Sequence, residues 1–346
     1  MKNLKNKILF IVILIMGFGI NIQAQLFRST SKVGTTAAEF LKINPGGRAV
    51  GMGGALTAIG SDLYSVYYNP AGIATATSPA QITFNHANWL AGMTYDFAAG
   101  ALYIDGLGTL FSEITIFQVP EEKVRTFQHP EGDGRVWDAN SFALSFGFAR
   151  QLTDRFSIGF NAKYIYESIW HSSASTFAFD FGTLYRTPFN GLTIGASISN
   201  FGSTMRLDGR DIQFNYDPNG DINSGPNNIP SKFSTDDFEL PLSFRIGFAM
   251  DLLKTRFIRF TAAVDAVHPN DNSEYLNTGA ELAYNENFFI RAGYKSLFMN
   301  NAEGGLTYGA GLKYKINGAF KIYIDYGFAD YGRLNNVQFF DIGLIF

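Results

Sequence analysis

The chain has 346 residues, of which only 16% are charged and 46% are apolar, against about 25% charged in ordinary soluble domains. A net charge of −3 argues against a nucleic-acid or acidic-substrate surface, and the absence of Cys excludes a lipid-modified Cys, disulfides, thiol catalysis and Cys-ligated metal. With 34 Phe, 17 Tyr and 36 Gly at a mean hydropathy of +0.01, the composition suits side chains that alternate between lipid and a polar lumen.

In chain order, Lys2, Lys5 and Lys7 precede the apolar run Ile8 to Ile20, and Ala24 offers a small-residue exit before Gln25. This pattern predicts a cleaved secretory signal over residues 1–24 and export through the inner membrane. The apolar run is short for a membrane span, and no later stretch reaches about 18 uncharged apolar residues.

Residues 25–80 do not alternate, and are expected to form a hatch segment. Gly34 to Leu41 has helical spacing, and a run of small residues follows from Pro45 to Ala55. Its motif residues are Gly47, Arg48, Gly51, Met52, Gly53 and Gly54, with Asn69, Pro70 and Gly72 further on. A phosphate-cradling loop needs a preceding strand, a following helix and a Lys or acidic partner, none of which is evident here. Small residues at this density let backbone pack closely inside a barrel, and Asn69-Pro70 makes a turn into the first strand.

From Gln81 onward the period is two. Phe156, Ile158, Phe160, Ala162, Tyr164 and Tyr166 share one strand face, with Ser157, Gly159, Asn161 and Lys163 on the other. Fourteen such segments are predicted: 81–90, 93–104, 107–119, 138–150, 155–168, 174–187, 191–201, 241–253, 256–267, 275–285, 287–298, 305–316, 319–329 and 336–346. The connections after even-numbered segments are tight, and most of the others are longer, above all Val119 to Trp137 and Gly202 to Leu240. That asymmetry belongs to an outer-membrane barrel. The fold class is therefore all-β: an antiparallel up-and-down transmembrane barrel of fourteen strands over 81–346, wetted by outer-membrane lipid. Charges of both signs on inward positions, among them Arg155, Lys163, Asp180, Arg245, Asp265, Glu281, Arg291 and Asp325, suit salt-bridge networks or a polar plug. Inward Phe257, Phe289 and Tyr323 suit either a greasy pocket or packing for the hatch.

Gly202 to Leu240 is long enough to be functional and carries Asp211, Asp217, Asn219, Asp221, Asp236 and Asp237 as a candidate partner-binding surface. Asp217 to Asn223 places oxygen ligands at alternate positions, but the Gly and the closing Glu of a calcium loop are missing, so no metal is expected. The histidines, His86, His129, His171 and His268, are scattered and form no local triad, which argues against an enzyme. At the end of the chain, Phe340, Ile342, Leu344 and Phe346 share one face, as a final strand facing lipid requires.

Three blocks then carry a family resemblance: Thr35 to Ile43, Gly47 to Ala55, and Tyr67-Tyr68-Asn69-Pro70-Ala71-Gly72. In order and spacing they resemble the N-terminal signature of the PorV/PorQ-like proteins, within the wider group of FadL-like barrels. The resemblance implies a hatch in the lumen and a Bacteroidota-type outer membrane. Its implied partners are the type IX translocon barrel or the C-terminal domains of exported cargo, with no cofactor. A terminal Phe346 on the aromatic strand resembles the signal read by the outer-membrane assembly machinery. The alternative is a FadL-like transporter of a hydrophobic small molecule, which needs an apolar pocket and an opening in the wall.

Overall fold

Two-periodic segments with one apolar face are stable in lipid only when every strand finds two neighbours. The computed structural model, which describes residues 32–218, 228–299, 302–316 and 320–346, meets that requirement with a closed wall. Its strands are β1 (Ala80–Asn88), β2 (Thr94–Ile104), β3 (Gly108–Lys123), β4 (Val136–Thr153), β5 (Phe156–Ile169), β6 (Ser172–Arg186) and β7 (Thr193–Gly202). The second half comprises β8 (Ser243–Lys254), β9 (Ile258–Pro269), β10 (Tyr275–Tyr284), β11 (Phe288–Leu297), β12 (Leu306–Ile316), β13 (Phe320–Asp330) and β14 (Asn336–Ile345). All pair antiparallel with their sequence neighbours, and β14 closes on β1 in unbroken register from Gln81↔Ile345 to Asn88↔Gln338. The predicted signal at 1–24, the loop residues Asn219 and Asp221, and the Asn317-Gly318 turn lie outside the described residues.

The wall alternates as the sequence does. On β6, Phe177, Phe179 and Phe181 are exposed to the membrane side, whereas Ala178 and Asp180 are buried inside. One expectation fails: Val119 to Trp137 is not an open loop. β3 and β4 run on past a register shift at Val119/Glu122 to pair Lys123 with Val136, leaving residues 124–135 as the connection. That extension carries Pro120-Glu121-Glu122-Lys123, so it lacks the apolar face by which a strand in lipid is read from sequence. The connection after β5 is also short, only Trp170 and His171. Residues 203–242 form the one long excursion among the described connections, with paired segments Gln213–Tyr216 and Ile229–Lys232.

Residues 32–79 fill the lumen. They reach it through a row of wall glycines, Gly159, Gly182, Gly195, Gly247, Gly279, Gly293, Gly309 and Gly327, several of which face each other across adjacent strands (Gly159↔Gly182, Gly195↔Gly247, Gly279↔Gly293, Gly309↔Gly327). Backbone of the segment, at Gly47, Met52, Thr57 and Pro70, meets these glycines directly. A β-carbon added at Gly327 would stand 2.7 Å from the Gly47 carbonyl oxygen and 2.8 Å from its Cα, with backbone that has nowhere to go. At Gly279 it would stand 2.3 Å from the Met52 carbonyl oxygen. Gly327→Val is therefore expected to overpack the lumen, costing about 1–3 kcal/mol, and to lower the temperature at which the folded band is lost in cold gel electrophoresis. Gly305→Val, where a β-carbon meets nothing within 4 Å, should leave that temperature unchanged.

Candidate functional site

The lumenal segment is held by hydrogen bonds to wall carboxylates. Gly46, at φ +94°, turns the chain into the one-turn helix Gly47–Gly51, and Gly53 and Gly54, at φ +67° and +80°, turn it out again. This brings the Gly47 N–H to Asp341 Oδ2 at 2.6 Å and the Gly53 N–H to Thr307 Oγ1 at 3.0 Å. Thr57 donates both its N–H (2.9 Å) and its hydroxyl (2.7 Å) to Asp265 Oδ2. Asn69 donates to the carbonyls of Thr57 (2.8 Å) and Thr183 (2.9 Å) while its Oδ1 accepts the Ala71 N–H. Pro70 and Gly72 continue this 3-10 turn, with Gly72 packed against Ser65. Met52 is fully buried.

Arg48 is the electrostatic centre. Its Nε and Nη2 each lie 2.9 Å from the Glu281 carboxylate, and its Nη1 lies 2.7 Å from Asp62. Glu281, with no exposure, also accepts from Arg291 (2.8 Å) and Arg259 (3.0 Å), and Arg291 continues to Asp325. Near the outer end, Lys42 bonds Asp271 at 2.5 Å and also Glu39. Burial pushes the Lys42 ammonium down, but hydrogen bonds to Asp271 and Glu39, and the charges of both, outweigh it and hold the ammonium above its usual value.

The nine small and polar motif residues thus come together in one fixed body. Sequence reading noted Asp265 and Glu281 only as inward charges, and did not single out Thr57, Asp62 or Asp341 as anchors. The available signal was an inward carboxylate on strands that also carry an inward Gly.

Beneath the segment, on the side of the tight turns, lies a cavity of about 790 Å³ lined by Arg155, Arg186, Arg259, Lys313 and Asp62. Phe289 and Tyr323 reach its wall, whereas Phe257 sits 53% exposed in the turn before β9. The cavity carries several charged side chains, whereas the segment above it packs an apolar core that includes Phe40, Leu56, Tyr64 and Phe97.

At the opposite end, the long excursion meets two neighbouring hairpins. Asp211 Oδ2 lies 2.6 Å from His171 Nδ1, Arg210 Nη2 lies 2.6 Å from His171 Nε2, and Arg135 stacks over the Trp170 ring at 5.6 Å. Phe214 and Phe233 meet in a tilted ring contact with centroids 4.7 Å apart, and Phe233 remains 64% exposed. Asp217 stands at the end of the Gln213–Tyr216 segment, and Asp236 and Asp237 are exposed near its base, so the acidic residues are dispersed over the platform. Among the described residues no three carboxylates or histidines are placed to hold a metal. The base of the excursion touches the lumenal segment, where the Ala37 N–H bonds the Glu239 carbonyl at 2.9 Å. On β14, Phe340 and Ile342 face outward and exposed, with Leu344 half-exposed, and Phe346 just past the strand is exposed too.

Removing the shared acceptor tests the lumenal network. Glu281→Ala leaves three guanidinium groups facing one another and should cost about 3–5 kcal/mol in urea unfolding from lipid vesicles. It should also raise trypsin cleavage after Arg48.

A family model described as type IX secretion system protein PorV matches residues 27–258. No curated protein matches in sequence. Among solved structures, the Ralstonia pickettii toluene transporter TbuX superposes with a TM-score of 0.54 at 11% identity, over 88% of this chain and 98% of that one. The P. putida toluene transporter TodX gives 0.53 at 12% identity, over 86% and 96%. A Pseudomonas aeruginosa FadL homologue gives 0.51 at 12%, over 87% and 97%. At these identities the likeness concerns the fold.

Proposed function

Because the chain belongs to the PorV family of type IX secretion system proteins, we propose that this outer-membrane barrel is a secretion accessory whose outer platform holds a protein partner. That partner is the C-terminal domain of exported cargo, or the translocon barrel beside which it stands. The observation that carries this reading is the platform itself: a long excursion clamped through His171 and Asp211, presenting Phe214, Tyr216 and Phe233 together with dispersed carboxylates. Exposed aromatics ringed by polar side chains are the composition of protein-binding surfaces. In this reading residues 32–79 act as a fixed hatch, so that cargo is held outside and does not pass through this lumen. Residues 1–24 are a leader removed on export, and the outward face of β14 ending at Phe346 is the signal for assembly into the membrane.

A second reading, uptake of a hydrophobic small molecule, draws on the fold shared with toluene transporters and on one local feature. β10 shifts register between Leu276 and Thr278, beside Gly53 of the hatch. Against it, every adjacent pair of wall strands remains hydrogen-bonded, and the cavity beneath the hatch is lined in part by charged groups, among them Arg155, Arg186, Arg259 and Lys313.

The two readings separate in one experiment. Affinity purification from gently solubilised native outer membranes is expected to recover secreted proteins sharing a C-terminal domain, or a very large barrel protein. A chain with residues 213–232 replaced by a Gly-Ser linker should still fold but lose them. An isolated barrel carrying lipid or fatty acid would overturn the secretion reading in favour of uptake.

A further inference from the structure

Where the long excursion re-enters the wall, the ladder gathers hydrogen-bond donors on one inward patch. Ser243 and Arg245 alternate inward with the outward Phe244 at the start of β8, and Ser199 of β7 stands directly opposite Ser243. These three side chains line a cavity of about 40 Å³, together with Lys42 and Tyr67 of the lumenal segment and Tyr275 of β10. The foot of the platform reaches it too: Pro241 lines the same cavity, and its carbonyl accepts from Asn200 Nδ2 at 3.0 Å. Segment, wall and platform therefore meet at this one place.

Arg245 is the unusual member of the lining. It is 7% exposed, yet it forms no ion pair among the described residues, and its Nε and Nη1 are buried without a hydrogen-bond acceptor. Its guanidinium lies 5.5 Å from the centre of the Tyr68 ring, a contact that leaves the N–H groups unmet. The Ser199 and Ser243 hydroxyls are buried and unpartnered as well. The neighbouring charges are answered elsewhere. Lys163 takes Asp180 at 2.9 Å and Asn200 at 2.7 Å, and Lys42 takes Asp271 and Glu39. Asp265, on the adjacent strand β9, gives one oxygen to Thr57, and its other oxygen makes no hydrogen bond to Arg245. Asp271 Oδ1 is also unpartnered, but its carboxylate already carries the Lys42 ammonium.

A guanidinium taken out of water needs both its hydrogen bonds and its charge met. Water supplies the first and not the second. The space suits one small ion or a few waters, and is far too small for a nucleotide, a sugar or a lipid headgroup. We propose that this cavity is a site for a small inorganic monovalent anion of the halide class, held by the Arg245 guanidinium and the hydroxyls of Ser199 and Ser243. One guanidinium without an ion-pair partner calls for one negative charge, and two hydroxyls across a single rung of the ladder complete the donor set. Bound there, the ion fastens the foot of the platform to the lumenal segment and the wall. The site is independent of what the platform itself recognises.

The test is thermal melting of the purified full-length chain in detergent, in sodium chloride, sodium bromide or sodium gluconate at equal ionic strength. Chloride and bromide should raise the melting temperature in a saturable way that gluconate does not. Arg245→Met, which keeps the length of the side chain without its charge, should abolish the saturable component. Ser199→Ala/Ser243→Ala removes two neutral hydrogen bonds and should raise the half-saturating halide concentration about tenfold. This second variant decides the matter if Arg245→Met does not fold. A crystal soaked in bromide should show an anomalous peak within hydrogen-bond reach of Arg245, Ser199 and Ser243. No saturable halide effect, an effect unchanged in the variants that fold, or bromide at exposed positions only, as an adventitious ion, would each overturn the proposal.

Discussion

The whole arrangement depends on two backbones being able to touch. A barrel of this size has a lumen that its own inward side chains do not fill, and here a folded segment fills it, with Leu56, Leu63, Tyr64 and Tyr68 buried and its main chain laid directly against the wall at the glycines. That requires glycine on the wall wherever Gly47, Met52, Thr57 and Pro70 approach it, and small residues on the segment in return. Close approach then puts backbone N–H groups within reach of carboxylates on the same strands, and those carboxylates can be buried because the N–H groups are there. Glycine row and carboxylate anchors are two halves of one contact. Neither is stable alone, since a buried Glu281 without Arg48 and its companions would be an uncompensated charge.

From this filling follows a division of labour. With the centre occupied by a segment bonded to wall strands around its circumference, the parts free to recognise something are the outer platform and the lipid-facing side. The platform is tied together by short ladders, a ring contact between Phe214 and Phe233 and a histidine–aspartate contact, while its outer side chains remain exposed. Ala37 bonds the base of that platform directly, so the lumenal body also sets its position.

Much of this was legible in the residues. Alternation in lipid is compulsory, so Arg155 to Glu167 or Gly305 to Ile316 could be read as wall without a structure, and the short turns ordered the strands. Legibility stopped where lipid stopped. Pro120 to Lys123 continue a strand that needs no apolar face, so nothing in their pattern marked it. The motif residues from Gly47 to Gly72 stood out as a block, but their partners did not. Asp265, Glu281 and Asp341 lie more than two hundred residues away, and only the barrel's register brings them opposite. The contact between His86 and Asp96 was equally hidden, because only the β1–β2 ladder sets the two opposite each other.

The contact between Gly47 and Asp341 has a consequence for how the molecule comes into being. It joins residues 294 positions apart, and Asp341 also takes the Asn85 amide at 2.5 Å across the seam between the first and last strands. Synthesis delivers the segment first and the seam strand last, so the contents of the barrel exist before its final stave does. Long-range contacts of this kind are slow to form, and a wall that shut early would exclude the segment from the space it must occupy. Closure and filling are therefore a single late event. Whatever factor holds the seam open during insertion also sets how long the segment has to find its place.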